Sequence, residues 1–126
     1  MLTVGDKFPE YSVKCNVGSD PESLKGLTNA DYDGKWVCYF FYPKDFTFIC
    51  PTEIAEFNTQ LAEFNDRDCE VVGGSTDNEF CKLAWRREHP ELNKLNQWSF
   101  ADTEGTLVDA LGIRSEEGVA LRATFI

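Results

Sequence analysis

Residues 36–53 read WVCYFFYPKDFTFICPTE, and the change of character along this stretch decides the fold. The run 36–42 is apolar or aromatic at every position. A strand with one wet face alternates, whereas a strand buried on both faces does not. The run is therefore expected to be a central strand. Pro43 lacks the N–H that the next rung would need, and it ends the strand. From Pro51 the period changes. Ile54, Phe57, Leu61 and Phe64 recur at helical spacing, with Glu53, Glu56, Gln60 and Glu63 on the other faces. Proline suits the first helical position, and acidic Glu53 suits the positive end of the helix dipole. The spacing predicts a helix from Cys50–Pro51 to about Asn65. One thiol, Cys50, is thus set between a buried strand and a helix start.

The same alternation continues outward. CEVVGGST (69–76) reads as a second strand. Asp77 or Asn78 is placed to cap a second helix that runs to about His89 and stops before Pro90. QWSFAD (97–102) reads as a short strand, Glu104 to Leu111 as a short helix with Gly112 as its C-cap, SEEG (115–118) as a turn, and VALRATFI (119–126) as a last strand. Residues 1–34 carry Gly5, Pro9, Gly18, Pro21, Gly26 and the DYDG turn, so short strands or hairpins laid onto the core are expected there. Strands alternating with helices imply an α/β fold with a partly parallel sheet.

Size and composition bound the function. The 126 residues suit one domain, 1–126, and 42% hydrophobic with 13% aromatic residues is enough for a core. A net charge of −10 argues against a nucleic-acid partner, because phosphate binding runs on clustered Lys and Arg. No apolar run approaches the ~20 residues that span a bilayer, and MLTVGDKFPEY has no secretory pattern. A cytoplasmic protein without a membrane partner is expected. Cys15, Cys38, Cys50, Cys69 and Cys81 include no CxxC pair, and His89 is the sole histidine, so no metal site is expected. No nucleotide, flavin or haem motif occurs, and no cofactor is expected.

A thiol attacks as its thiolate, and a helix N-terminus offers positive potential and unpaired N–H groups to such an anion. Thr47 can donate its hydroxyl to the sulfur or to a bound oxygen. Pro43 can shield the sulfur without presenting an N–H. Together with Cys50 they suit attack on a small polar electrophile.

Pro43, Thr47 and Cys50 stand in the spacing Pro-x-x-x-Thr-x-x-Cys, and the phrase FFYPKDFTFICPTE around them resembles the peroxiredoxin family. The likeness is to its typical two-cysteine branch, which includes the peroxidatic subunits of bacterial alkyl hydroperoxide reductases. LTVGDKFPEY, GGSTDNEFCKLAWRREH and GVALRATFI resemble that branch in the same order, so the likeness covers essentially the whole chain, more loosely over 11–34. It implies a thioredoxin-like fold, with a central mixed sheet flanked by helices. It implies a thiol-specific peroxidase in which Cys50 attacks hydrogen peroxide or an organic hydroperoxide and becomes a sulfenic acid. Thr47 would hydrogen-bond the peroxide and Pro43 would wall the pocket. Arg122 matches the family arginine that steadies thiolate and peroxide, and Glu53 the acid that orients it. Trp85 matches a family tryptophan near the site, although core packing suffices for it. Cys38, Cys69 and Cys81 are expected to be structural, and His89 to be a helix-end or surface residue.

The resemblance also implies a hydroperoxide substrate, a separate protein reductant (thioredoxin-like, a flavoprotein or lipoyl-linked) and a homodimer or ring of dimers. Family members carry a resolving cysteine near the C-terminus, commonly Val-Cys-Pro, with a further strand and helix before the end. None of Cys15, Cys38, Cys69 and Cys81 occupies that position. The strand-like end at Thr124–Phe125–Ile126 leads to the expectation that further residues follow, or that another chain covers the edge. Two other functions share some of these features. A thiol–disulfide oxidoreductase has the fold and the helix-start cysteine but needs a second cysteine where Glu53 stands. A non-enzymatic holdase needs no Cys50 at all.

Overall fold

A computed structural model describes residues 2–18, 20–47 and 50–126. The sequence reading of Phe48 and Ile49, between Thr47 and Cys50, lies outside them. Six strands form one sheet in the order β2-β1-β5-β4-β3-β6, with β1 Ser12–Asn16, β2 Leu24–Thr28, β3 Trp36–Phe41, β4 Cys69–Ser75, β5 Trp98–Ala101 and β6 Ala123–Phe125. β3, β4 and β5 are parallel neighbours, in register Trp36↔Cys69 and Val72↔Trp98. The hairpin β1–β2 adds antiparallel to β5, and β6 adds antiparallel to β3. This is the mixed sheet expected, with the N-terminal residues supplying the hairpin.

β3 is covered on both faces, as its composition requires. Val37, Tyr39 and Phe41 enter one core cluster, with Val72, Phe100 and the residues Leu107, Val108 and Leu111 of helix α4, Thr106–Leu111. Cys38, Phe40 and Tyr42 enter the other, with Ile54 of α1, Cys50–Thr59, and Trp85 of α3, Glu79–Glu88. α1 is seated on β3 by the stacked rings of Phe40 and Phe57, with centroids 4.2 Å apart. Asn78 caps α3, its side chain accepting from the Cys81 N–H at 2.8 Å. Among the described residues no helix is long and apolar enough to cross a membrane.

Three boundaries differ from expectation. The helix expected from Cys50 to Asn65 is interrupted at Gln60, giving α1 and a separate α2, Leu61–Asp66. Gln60 takes φ −92° and ψ 2°, and Thr59 Oγ1 donates back to the Ala55 carbonyl at 3.0 Å, a bond that bends helices. The break lets α2 turn Leu61 and Phe64 onto the same core as Phe57. The helix expected from Glu104 starts at Thr106, because the buried Asp102 carboxylate accepts from the N–H groups of Leu107 and Val108 at 3.2 and 2.8 Å. The last strand is confined to 123–125, since the Ser115 N–H bonds the Val119 carbonyl and the Leu121 N–H bonds the Ile113 carbonyl, both at 2.8 Å.

β4 carries two glycines at points of close approach. A Cβ on Gly73 would enter the Phe40 ring, and one on Gly74 would meet both the ring and the backbone carbonyl of Phe100. Phe40 has a ring that can shift, whereas the Phe100 carbonyl belongs to the ladder. Gly74→Ala is expected to destabilise the protein by about 1–3 kcal/mol through overpacking. The midpoint of urea unfolding measures this.

Candidate active site

Cys50 opens α1 directly beyond the turn that follows β3. Its side chain is 1% exposed, set in the apolar cluster of Phe40, Tyr42 and Ile54. Polar contact with the sulfur can come there from aligned dipoles or from a cation. Both are present. The helix N-terminus is one, and Arg122 is the other, with Nη2 3.2 Å from Cys50 Sγ.

Arg122 reaches the sulfur through the sheet. It directly precedes β6, and Ala123 of β6 stands opposite Phe41 of β3. That register puts residue 122 beside the chain that leaves β3 toward α1. The other end of the guanidinium is held by Glu53, in the first turn of α1, through a hydrogen bond from Nη1 to Oε2. One guanidinium thus bridges a thiol and a carboxylate three residues apart on one helix face. Partial burial works to lower the Arg122 pKa, but the Cys50 sulfur and the Glu53 carboxylate outweigh it and hold it above its ordinary value. Arg122 and Glu53 line a groove of about 730 Å³ together with Phe40, Phe41, Phe57 and Phe64.

Pro43 is half-buried in the turn after β3. Thr47 is in the same loop, and its hydroxyl donates to the Lys44 carbonyl at 3.1 Å. Among the described residues no hydrogen bond joins Thr47 to Cys50. The Thr47 hydroxyl proton is used within the loop, on the Lys44 carbonyl. Its oxygen still has lone pairs to accept from a protonated peroxide oxygen. So the fold brings Arg122 into contact with both Cys50 and Glu53, and it holds Pro43 and Thr47 on the loop after β3.

The other four thiols are free, and burial works against ionisation at each. Burial pushes Cys15 up to about 12 and Cys38 up to about 11. Burial raises Cys69 and Cys81 as well, and at Cys81 the Asp45 and Asp77 carboxylates add to it. Trp85 is buried, its ring 6.0 Å from Tyr42 and 5.8 Å from Phe46, so it packs the core and also touches the loop. His89 caps the C-terminus of α3, its Nδ1 accepting from the Glu91 N–H at 3.1 Å.

Two residues of the site region were not picked out from the sequence, Asp45 and Lys82. Lys82 Nζ lies 3.1 Å from Asp45 Oδ1, with the two side chains 2% and 0% exposed. The signal was there in the spacing: Lys82 is three residues before Trp85 and so lies on its buried face. Asp45, Asp77 and Cys81 could offer metal ligands within 4.8 Å of one another, but the Lys82 ammonium already lies on both Asp45 oxygens.

A parallel β3–β4–β5 core with a thiol opening the helix after β3 defines a thioredoxin-like thiol enzyme. The sequence matches the AhpC/TSA family over residues 4–126. It is 44% identical to alkyl hydroperoxide reductase C of Mycolicibacterium smegmatis, in an alignment that covers 100% of this chain and 69% of that protein. It is 46% identical to a thioredoxin peroxidase of Trypanosoma brucei rhodesiense, over 82% of this chain and 54% of that protein. The solved structure of Mycobacterium tuberculosis AhpC superposes with a TM-score of 0.91 at 40% identity, covering 99% of this chain and 75% of that one. The chain belongs to the AhpC/TSA family of peroxiredoxins, which are peroxidases.

Replacement of Arg122 by Ala is expected to slow oxidation of the thiol by hydrogen peroxide by about 10²–10³-fold, the usual cost of one donor aimed at developing charge. The unfolding midpoint should hardly move, because the pair with Glu53 is exposed and such pairs contribute about 0–1 kcal/mol. Stopped-flow oxidation and urea titration check the two halves. Separately, Cys15 and Cys38 are expected to resist iodoacetamide at pH 8 in the native protein and to label once it is unfolded. Peptide mass mapping reads this directly.

Proposed function

We propose that Cys50 is the residue that peroxide oxidises, and that residues 1–126 act as one domain built around it. The observation that carries this reading is the contact of Arg122 with Cys50 Sγ at a helix start, with Glu53 holding the other end of the guanidinium. In the first step the Cys50 thiolate attacks the terminal oxygen of a hydroperoxide. An S–O bond forms as the O–O bond breaks. The sulfur loses two electrons and becomes a sulfenic acid, while the departing alkoxide or hydroxide takes up a proton and leaves as alcohol or water. Arg122 faces the negative charge as it moves from sulfur to oxygen, and its planar fork suits two adjacent oxygens. Thr47 accepts the proton-bearing end of the peroxide, and Pro43 keeps water from the sulfur.

Hydrogen peroxide and organic hydroperoxides are the substrates of this reading, and the relatives named for alkyl hydroperoxide and for thioredoxin support it. Return of the sulfenic acid to thiol needs two electrons from a separate protein thiol. A thioredoxin-like protein, a flavoprotein or a lipoyl-linked donor would supply them, in the cytoplasm, to a homodimer or ring of dimers. A thiol–disulfide exchange activity is disfavoured by Glu53, which fills the place of a second cysteine and is engaged with Arg122.

Intact mass within seconds of mixing reduced protein with equimolar hydrogen peroxide tests the assignment. One added oxygen is expected, and it should be absent from Cys50→Ser. An oxygen that persists in Cys50→Ser would place the chemistry on another thiol.

A further inference from the structure

The loop 42–47 joins β3 to the site and carries both Pro43 and Thr47. It is held from one side by a buried polar cluster that the peroxide chemistry does not use. Lys82 of α3 is 2% exposed. Its ammonium donates to Ser75 Oγ at 2.6 Å, to Asp45 Oδ1 and Oδ2 at 3.1 and 3.2 Å, and to the Tyr42 hydroxyl at 3.3 Å. Ser75 Oγ in turn donates to Asp45 Oδ1 at 3.1 Å, and the Asp45 N–H donates to Asp77 Oδ2 at 2.7 Å. So the end of β3, the loop, the end of β4 and α3 are tied to one cation.

An apolar residue would fill such a site at lower cost, because taking two charges out of water is expensive. What the ion pair adds is direction. Phe46, the next residue after Asp45, has φ 57°, in the left-handed region that a phenylalanine disfavours. Such a conformation persists only where its surroundings impose it. Asp45 is fixed by Lys82 on one side of Phe46, and the Thr47 hydroxyl is fixed on the Lys44 carbonyl on the other. The Phe46 ring packs on Trp85, one turn along α3 from Lys82. A single face of α3 thus sets the shape of the loop.

We propose that Lys82, acting through Asp45, is a positioning residue for peroxide reduction: it holds the loop 42–47 in the shape that presents Pro43 and Thr47 to a peroxide at Cys50. This rests on the assignment of Cys50 above. The role is separable from stability because two reagents ask different things of the same sulfur. Peroxide needs the loop to orient its oxygens. Iodoacetamide needs only the thiolate and access.

The test compares Lys82→Met and Asp45→Asn with the wild-type protein. For each, the second-order rates of Cys50 oxidation by hydrogen peroxide and of its alkylation by iodoacetamide are measured, along with the unfolding midpoint. The expected result is a fall of about 10²-fold in the peroxide rate for Lys82→Met. Its alkylation rate should stay within about threefold, with helical circular dichroism retained. Asp45→Asn should show the same selective loss from the loop side. It keeps the side-chain shape and an acceptor for Ser75, so it decides the matter if Lys82→Met does not fold. Peroxide rates within about threefold of wild type in a folded variant would overturn the proposal. So would an equal fall in both rates, which would make the cluster merely structural. A wild-type chain that peroxide does not oxidise at Cys50 would instead overturn the assignment of Cys50, and this proposal with it.

Discussion

β3 sends Val37, Tyr39 and Phe41 into one core and Cys38 and Phe40, with Tyr42 just after the strand, into the other, and this double burial constrains nearly everything else. A strand with no wet face needs partners on both edges and cover on both sides. β4 and β6 supply the edges. α1, α2 and α3 supply one cover, and α4 with its flanking loops the other. The consequence for chemistry is positional precision. The residue at which the chain leaves β3 cannot drift, because six successive side chains hold the strand. α1 then starts from a fixed point, pinned again by the Phe40–Phe57 stack. Cys50 inherits that fixed point.

The site is built from weak interactions used where they count. The Arg122–Glu53 pair lies at the surface, with side chains 39% and 43% exposed, and contributes little to folding. Its use is to aim. With Glu53 on one nitrogen, the guanidinium keeps another against the sulfur, and the entropy cost of holding a long side chain is met before a peroxide arrives. The apolar wall around Cys50 serves the same end. It makes the cation and the helix dipole stronger at the sulfur than they would be in water.

The order of strands and helices was legible in the sequence because each rests on period. The apolar run 36–42, the helical spacing of Ile54, Phe57, Leu61 and Phe64, and the cap at Asn78 each follow from local rules. The candidate site residues Cys50, Thr47, Pro43, Arg122 and Glu53 came from a motif and a resemblance, and the contact between Arg122 and Glu53 appears only when β6 pairs with β3. What was not legible depended on tertiary choice. Gln60 looked like one more helical residue, but the packing of α2 and the Thr59 back-bond break the helix there. In α3 the pattern misleads in part. Leu83 and Trp85 are buried as hydrophobicity predicts, but Phe80 is 64% exposed, while Lys82 and Arg86, four residues apart, are both 2% exposed. Hydrophobicity alone would have exchanged the phenylalanine for the two cations.

That inversion has a physical reading. Burial lowers the Lys82 pKa from its ordinary value while the Asp45 carboxylate works to raise it, so the lysine sits where its charge is opposed by its surroundings and kept by its partner. Removing one member of such a pair costs about 3–5 kcal/mol, although replacing both with apolar residues often costs nothing. Stability alone therefore gives no reason to keep it. A hydrophobic substitute would fill the volume between α3 and the loop without fixing the direction of the loop, and greasy contacts tolerate sliding. Charged hydrogen bonds to both oxygens of one carboxylate do not. A loop that must hold a left-handed phenylalanine, a proline and a threonine in one arrangement beside a reactive sulfur needs that intolerance. The buried pair belongs to the precision of the site more than to the strength of the fold.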